Sequence, residues 1–263
     1  MTRSRHVRRL RNAAVLALVF AFACTTADGR EDRGGDGRAL PPQEASNMLS
    51  DDEAASGFTL LFDGQSLDAW RGFNRDDVPG GWSAVDGAIV FTPDVEGGDL
   101  ITRETFEDFE LRLEWRIGPS GNSGVFFGVI EGNRRTYESG PEMQILDNAG
   151  HPDGRNLLTS AGSNYGLHAP LEDVTRPVGE WNEARIVRAG DHVEHWFNGS
   201  KIVEYEIGTD EWKAMVAETK FADWPDYGAH REGHIGLQDH GDPVQFRNLR
   251  IRRLDRTATD TNP

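Results

Sequence analysis

The feature that most limits what this chain can fold into is a recurring pattern of short alternating runs closed by tight-turn dipeptides, with no sustained helical periodicity. In Phe109-Glu-Leu-Arg-Leu-Glu-Trp-Arg-Ile117, Leu111, Leu113, Trp115 and Ile117 alternate with Glu110, Arg112, Glu114 and Arg116. A strand here buries one face and charges the other. Trp82–Val85 runs into Asp86-Gly87 and returns as Ala88–Phe91, and His192–Phe197 runs into Asn198-Gly199 and returns as Lys201–Ile207. Two-residue hairpin turns need positive φ, which Gly adopts without steric cost, so both read as hairpins. Further strands are expected over Phe58–Phe62, Asn122–Ile130, Glu183–Arg188, Gly233–His240 and Val244–Ile251, the second of them apolar enough to be covered on both faces. A short helix is expected over Glu211–Thr219. Many short strands without βαβ alternation predict an all-β domain, a jelly-roll sandwich of two antiparallel sheets whose concave face makes a cleft.

The ends of the chain read differently. Arg3, Arg5, Arg8, Arg9 and Arg11 precede an apolar run from Ala13 to Ala23. That run is well short of the ~20 residues a spanning helix needs, so residues 1–23 read as an export signal. Cys24, the sole cysteine, follows directly, where bacterial lipoproteins carry their lipid, and it leaves no partner for an internal disulfide. Ala21-Phe22 is an imperfect approach to a lipidation site, so cleavage near Ala23 with a spectator thiol is the alternative. Residues 24–50 are rich in Gly, Asp, Arg, Glu and Pro and cannot bury enough surface to offset ordering, which predicts a flexible tether. One domain is expected over residues 51–255 and a disordered tail over 256–263. The formal net charge of −16 grows more negative once the leader arginines are removed, which argues against nucleic acid as a partner. The expected location is periplasmic or cell-surface, with a lipid on Cys24 as the only membrane contact.

Within the domain, Gly140-Pro-Glu-Met-Gln-Ile-Leu-Asp-Asn148 sets acids and an amide among apolar residues. On a strand, Glu142 and Gln144 share one face while Met143 and Ile145 face the packing layer. A solvated polar face is the bland reading. Against it stand the other segments: Leu61-Phe-Asp-Gly64 with Trp70, Asp108-Phe-Glu-Leu111, Gly121-Asn-Ser-Gly124, Gly179-Glu-Trp-Asn182, Val193-Glu-His-Trp-Phe-Asn-Gly199 and Gly233-His-Ile-Gly-Leu-Gln-Asp-His-Gly241. In combination with Gly140–Asn148, they resemble the 3-keto-disaccharide hydrolase family over about residues 57–254. That resemblance implies a concanavalin-A-like lectin/glucanase fold and an exported enzyme acting on glycosides whose glucose ring carries a ketone at carbon 3. It also implies a separate oxidoreductase that makes the ketone. Laminarinase-type glucanases of the same broad fold set catalytic acids on alternate residues of one strand. Glu142-Met-Gln-Ile-Leu-Asp147 departs from that layout, because Gln144 occupies the middle position and Asp147 falls out of alternation.

A ketone at carbon 3 acidifies the proton on carbon 2, so a base removes that proton, the glycosidic oxygen leaves with acid assistance, and water adds back. This needs a base, an acid and a stabiliser of the enolate oxygen, but no close carboxyl pair. Glu142 is the leading proton-transfer candidate, and Gln144 and Asp147 are expected to contact the sugar. The histidine candidates are His151 on the following loop, His195, and His240 beside Gln238. Against them stand a surface position, a hydrogen-bonded core residue and a turn anchor, respectively. Substrate contacts are further expected from Gln238 and from Asn122, Glu114, Arg116, Lys220 and Trp224. A tight turn, cross-strand ion pairing, a solvated lysine and core packing are the corresponding bland readings.

No phosphate loop or dinucleotide fingerprint occurs, so no organic cofactor is expected. Ca²⁺ has no motif here, although aspartates at 147–153 and 239–242 offer oxygen ligands. Two other functions share the fold: a non-catalytic carbohydrate-binding module and a hydrolase of unoxidised β-glucan. A binding module would favour aromatic platforms over convergent ionisable groups, whereas Glu142, His151, His195 and His240 lie on segments able to converge.

Overall fold

The computed structural model describes residues 47–255. The expected export segment, Cys24, the tail and most of the tether lie outside the described residues. Thirteen strands make up the described part: β1 (Thr59–Leu60), β2 (Trp70–Gly72), β3 (Trp82–Val85), β4 (Ala88–Phe91), β5 (Leu100–Thr102), β6 (Phe109–Ile117), β7 (Asn122–Val129), β8 (Glu142–Leu146), β9 (Asn182–Ala189), β10 (His192–Phe197), β11 (Ser200–Glu206), β12 (His234–Leu237) and β13 (Val244–Arg253). Two short helices accompany them, α1 (Asp51–Ala55) and α2 (Asp210–Ala217).

The strands form two antiparallel sheets. The larger runs β11-β10-β9-β6-β13-β4-β3, with β1 paired to the C-terminal half of β13, and the smaller runs β2-β5-β12-β7-β8. The hairpin turns carry the expected backbone: Asp86 and Gly87 have φ of 49° and 74°, and Asn198 and Gly199 of 47° and 86°. Strand β6 sends Leu111, Leu113, Trp115 and Ile117 between the sheets, where they join Val125 and Phe127 of β7 and Met143 and Ile145 of β8. Helix α2 docks through Trp212, which stacks between Tyr205 and Tyr227. A smaller apolar cluster, Ile101, Phe126 and Val129 with Phe73 and Tyr137, covers part of the smaller sheet's outer face.

The ordered domain starts earlier than the composition suggests. Asn47 is buried because its backbone N–H donates to the Asn248 side chain, its side-chain oxygen accepts from the Asn248 N–H, and its Nδ2 donates to the Gly87 carbonyl. Ser50 and Glu53 then form a reciprocal capping box on α1, and Glu53 pairs with Arg250 of β13. Asn47 and Ser50, expected in the tether, thus belong to the domain through hydrogen bonds, while Met48 between them stays 64% exposed.

Candidate active site

Because Met143 and Ile145 point between the sheets, Glu142 and Gln144 face outward from the smaller sheet. Pairing fixes their neighbours. Gln144 lies opposite Gly124, and Glu142 opposite Phe126. The Gln238 N–H donates to the Gly124 carbonyl at 2.9 Å, and Leu237 pairs with Leu100, so Gln238 and Asp99 continue the row. On the other edge, the segment after the Leu157–Thr159 turn adds itself to β8: the Gln144 N–H donates to the Ser163 carbonyl and the Tyr165 N–H to the Glu142 carbonyl. One row across the sheet therefore reads Ser163, Gln144, Gly124, Gln238, Asp99. The next reads Tyr165, Glu142, Phe126, Gly236, Ile101.

Gly124 leaves a hole in the first row, and the Glu142 carboxyl lies across it. A Cβ at position 124 would stand 2.8 Å from Glu142 Cδ and nearer still to Oε1. Glu142 is only 8% exposed. Burial pushes its carboxyl up to about 8; Asp99 and Asp153 push the same way, while Lys220 and the Gln238 side chain oppose them. It is therefore a protonated acid at neutral pH. Asp99 is also raised by burial, to about 6, against the hydrogen bonds it accepts from Thr136 Oγ1 and the Asp239 N–H.

Around this hole, Gln144 Oε1, Ser163 Oγ, Gln238 Oε1 and Asn122 Oδ1 are buried without a protein partner. Gln144 is oriented by its Nε2, which donates to the Thr159 carbonyl at 3.2 Å, so its oxygen is the free atom. A buried acceptor left unmade costs about 1–3 kcal/mol, so a row of them is suited to receiving hydroxyl groups. One rim carries Lys220, whose Nζ stands 4.7 Å from the Tyr165 ring centre and 5.8 Å from that of Tyr137. Trp224 leans on Tyr137 and Phe221 beside it.

The structure thus brings Glu142, Gln144, Asn122 and Gln238 onto one face, with Lys220 and Trp224 at the rim. His151 and His240 approach each other, ring centres 6.2 Å apart. The His151 Nδ1 accepts from the Asp153 N–H, and the His240 side chain is 48% exposed near Asp242. Asp147 lies at the end of β8, where its carboxylate accepts from the backbone N–H groups of Ser120, Ala149 and Gly150 and so shapes a turn. The sequence reading missed Asp99 and Ser163. Asp99 precedes a three-residue strand, and Ser163 pairs with β8 outside any regular strand.

Three expected site residues are elsewhere, and these are corrections. His195 lies fully buried between the sheets, its Nδ1 3.0 Å from the Gly162 carbonyl and its ring edge-on to Phe127. The alternation that groups it with Val193 and Phe197 turns all three inward. Glu114 and Arg116 occupy the outer face of the larger sheet, where Glu114 pairs with Arg247, and Arg116 donates to Gln245 and covers Trp181. Burial holds the His195 imidazole down at about 4. Its folded proton affinity lies below the ordinary value of 6.5, so the stability it contributes is lost as pH falls from about 6.5 toward 4. His195→Asn is expected to flatten that acid decline, read by urea unfolding at pH 6.5 and 4.5, and to keep neutral-pH turnover. A turnover loss without loss of folded protein would return His195 to the mechanism.

A cavity of about 540 Å³ on the outer face of the larger sheet is lined by Glu53, Arg112, Glu114, Arg185 and Trp196, but Glu53 and Glu114 are held by arginines and Trp196 lies under Arg185. Among the described residues, His192, Glu194 and Glu204 cluster with metal-ligand spacing, yet Lys201 pairs with both carboxylates.

Comparison with known proteins places these features in a family context. Residues 57–252 match the family model described as a 3-keto-alpha-glucoside-1,2-lyase-like domain. The chain is 37% identical over 231 residues to a 3-keto-disaccharide hydrolase of Bacteroides thetaiotaomicron, covering 76% of this chain and 80% of that protein. A crystal structure of a glycosyl hydrolase candidate from Parabacteroides distasonis is 34% identical and covers 80% of this chain and 100% of that one, with a TM-score of 0.75. A second glycosyl hydrolase candidate from the same organism is 28% identical, with coverage of 75% and 99% and a TM-score of 0.59.

Proposed function

The chain belongs to the 3-keto-alpha-glucoside-1,2-lyase-like family, and from that premise we propose that it hydrolyses glycosidic bonds of glucosides oxidised to a ketone at carbon 3. The observation that carries this reading is a single protonated carboxyl, Glu142, laid over a glycine gap in a row of unpaired hydroxyl-accepting groups. Ordinary retaining hydrolysis requires a second carboxyl ~5 Å away. The candidates for that partner are Gln144, an amide, Asp147, whose oxygens hold turn amides, and Asp99, which stands two strand spacings along the row, beyond that reach. A ketone removes the need for such a pair. Loss of the carbon-2 proton gives an enolate, the glycosidic oxygen leaves carbon 1 with the Glu142 proton, and water adds to the resulting enone. Lys220, at the rim, supplies positive charge toward the enolate oxygen.

The leader arginines and apolar run support export, and Cys24 supports a lipid anchor at the cell surface or in the periplasm. The enzyme then acts after an oxidoreductase that converts the glucoside's 3-hydroxyl to a ketone. Incubating it with a disaccharide and its 3-keto derivative tests the substrate: reducing sugar is expected from the keto form alone. Equal release from the unoxidised sugar would overturn this reading, and binding without cleavage would make the protein a lectin.

A further inference from the structure

We infer that Asp99 is the base of this site: it removes the carbon-2 proton while Glu142 delivers a proton to the departing glycosidic oxygen, an assignment that rests on the keto-glucoside reading. The geometry supports it first. Asp99 and Gly124 lie in one row, separated by Gln238, so about two strand spacings, ~10 Å, part the backbone of Asp99 from the Glu142 carboxyl above Gly124. That span admits one pyranose ring seated over Gln238, its carbon 2 toward one carboxyl and its glycosidic oxygen toward the other.

Asp99 is also held for the task. Its Oδ1 accepts from the Asp239 N–H at 2.8 Å and its Oδ2 from Thr136 Oγ1, leaving a lone pair on each oxygen. Asp239 is fixed in turn, because its carboxylate accepts from the Gly98 and Gly241 N–H groups. The charges facing Asp99 are Asp239 and, oppositely, Arg135; those facing Glu142 are Lys220, Asp99 and Asp153. With Asp99 near 6 and Glu142 near 8, the first is ionised and the second protonated at neutral pH, which divides base from acid. The steps balance. The C2–H pair enters the C2–C3 enolate, then forms C1=C2 as the C1–O bond breaks and the leaving oxygen takes the Glu142 proton. Water returns its oxygen to C1 and a proton to Glu142, and Asp99 gives its proton back to C2.

Two readouts separate the roles. In D₂O, wild-type enzyme is expected to exchange the carbon-2 proton of a 3-keto glucoside. Asp99→Asn should slow both exchange and cleavage by about 100-fold or more, whereas Glu142→Gln should lose cleavage but keep exchange within about 10-fold. A 4-nitrophenyl leaving group, which needs little acid, should restore cleavage to Glu142→Gln and not to Asp99→Asn. Near-normal exchange in folded Asp99→Asn overturns the assignment, as does rescue of that variant by the better leaving group. Thr136→Ala provides an independent measure: losing a donor to the carboxylate should move the acid limb of kcat/KM upward from about 6, and an unmoved limb counts against Asp99. Wild-type enzyme that exchanges or cleaves no keto substrate overturns the substrate reading itself.

Discussion

Glu142→Gln is expected to cut cleavage of a natural keto disaccharide by about 100-fold or more while leaving the fold intact, because the amide keeps the carboxyl's shape but has no proton to transfer. The same change should alter stability in a defined pH window. Glu142 is raised from 4.5 to about 8, so the folded state holds a proton that the unfolded chain releases. That contribution is fully present below about 4.5 and is lost as pH rises through about 8. Wild-type stability should therefore decline across this interval more steeply than that of Glu142→Gln. Thermal unfolding of both proteins at pH 4.5, 6.5 and 8.5 checks this. Parallel curves would mean that Glu142 reaches solvent and ionises freely, and the acid role would fall with that result.

The sequence made some of this arrangement legible and hid the rest for identifiable reasons. The limits expected for β3, β4, β6 and β10 coincide with those observed, since hairpin turns or clean alternation mark them. Strands β2 and β5, three residues each, are too short to show a period. Missing β5 meant missing Asp99, which precedes it and completes the row from Gln144 through Gly124 and Gln238. Alternation correctly set Glu142 and Gln144 on one face and Glu114 and Arg116 on another. It could not say that those faces belong to different sheets, because sheet membership depends on distant pairings such as β6 with β13. For His195 the pattern contained its own answer: a histidine in step with Val193 and Phe197 is buried with them. Of the four unpaired acceptors, Gln144, Asn122 and Gln238 were expected to contact sugar, whereas Ser163 reaches the row through an irregular segment.

The hole at Gly124 gives the test that depends most on geometry. Its backbone is not in the left-handed region, so Ala is tolerated there conformationally and should gain a few tenths to about 1 kcal/mol by restricting the unfolded chain. The added methyl, however, would meet Glu142 at Cδ, Cγ and Oε1 together, with Cγ at 2.9 Å. The carboxyl must move off the row, and a displacement of ~1 Å at a reacting group costs on the order of 100-fold. Gly236→Ala is the matched control on the adjacent strand, where the nearest atoms to the new Cβ would be those of Phe126, at 3.2 and 3.3 Å, and the Leu100 carbonyl at 3.5 Å. Gly124→Ala is expected to lose about 10- to 100-fold in kcat with near-wild-type Tm, and Gly236→Ala to keep most of its turnover. Equal activity in the two variants would show that the position of the Glu142 carboxyl over the gap does not matter, and the row would then be a binding surface rather than the place where the bond is cut.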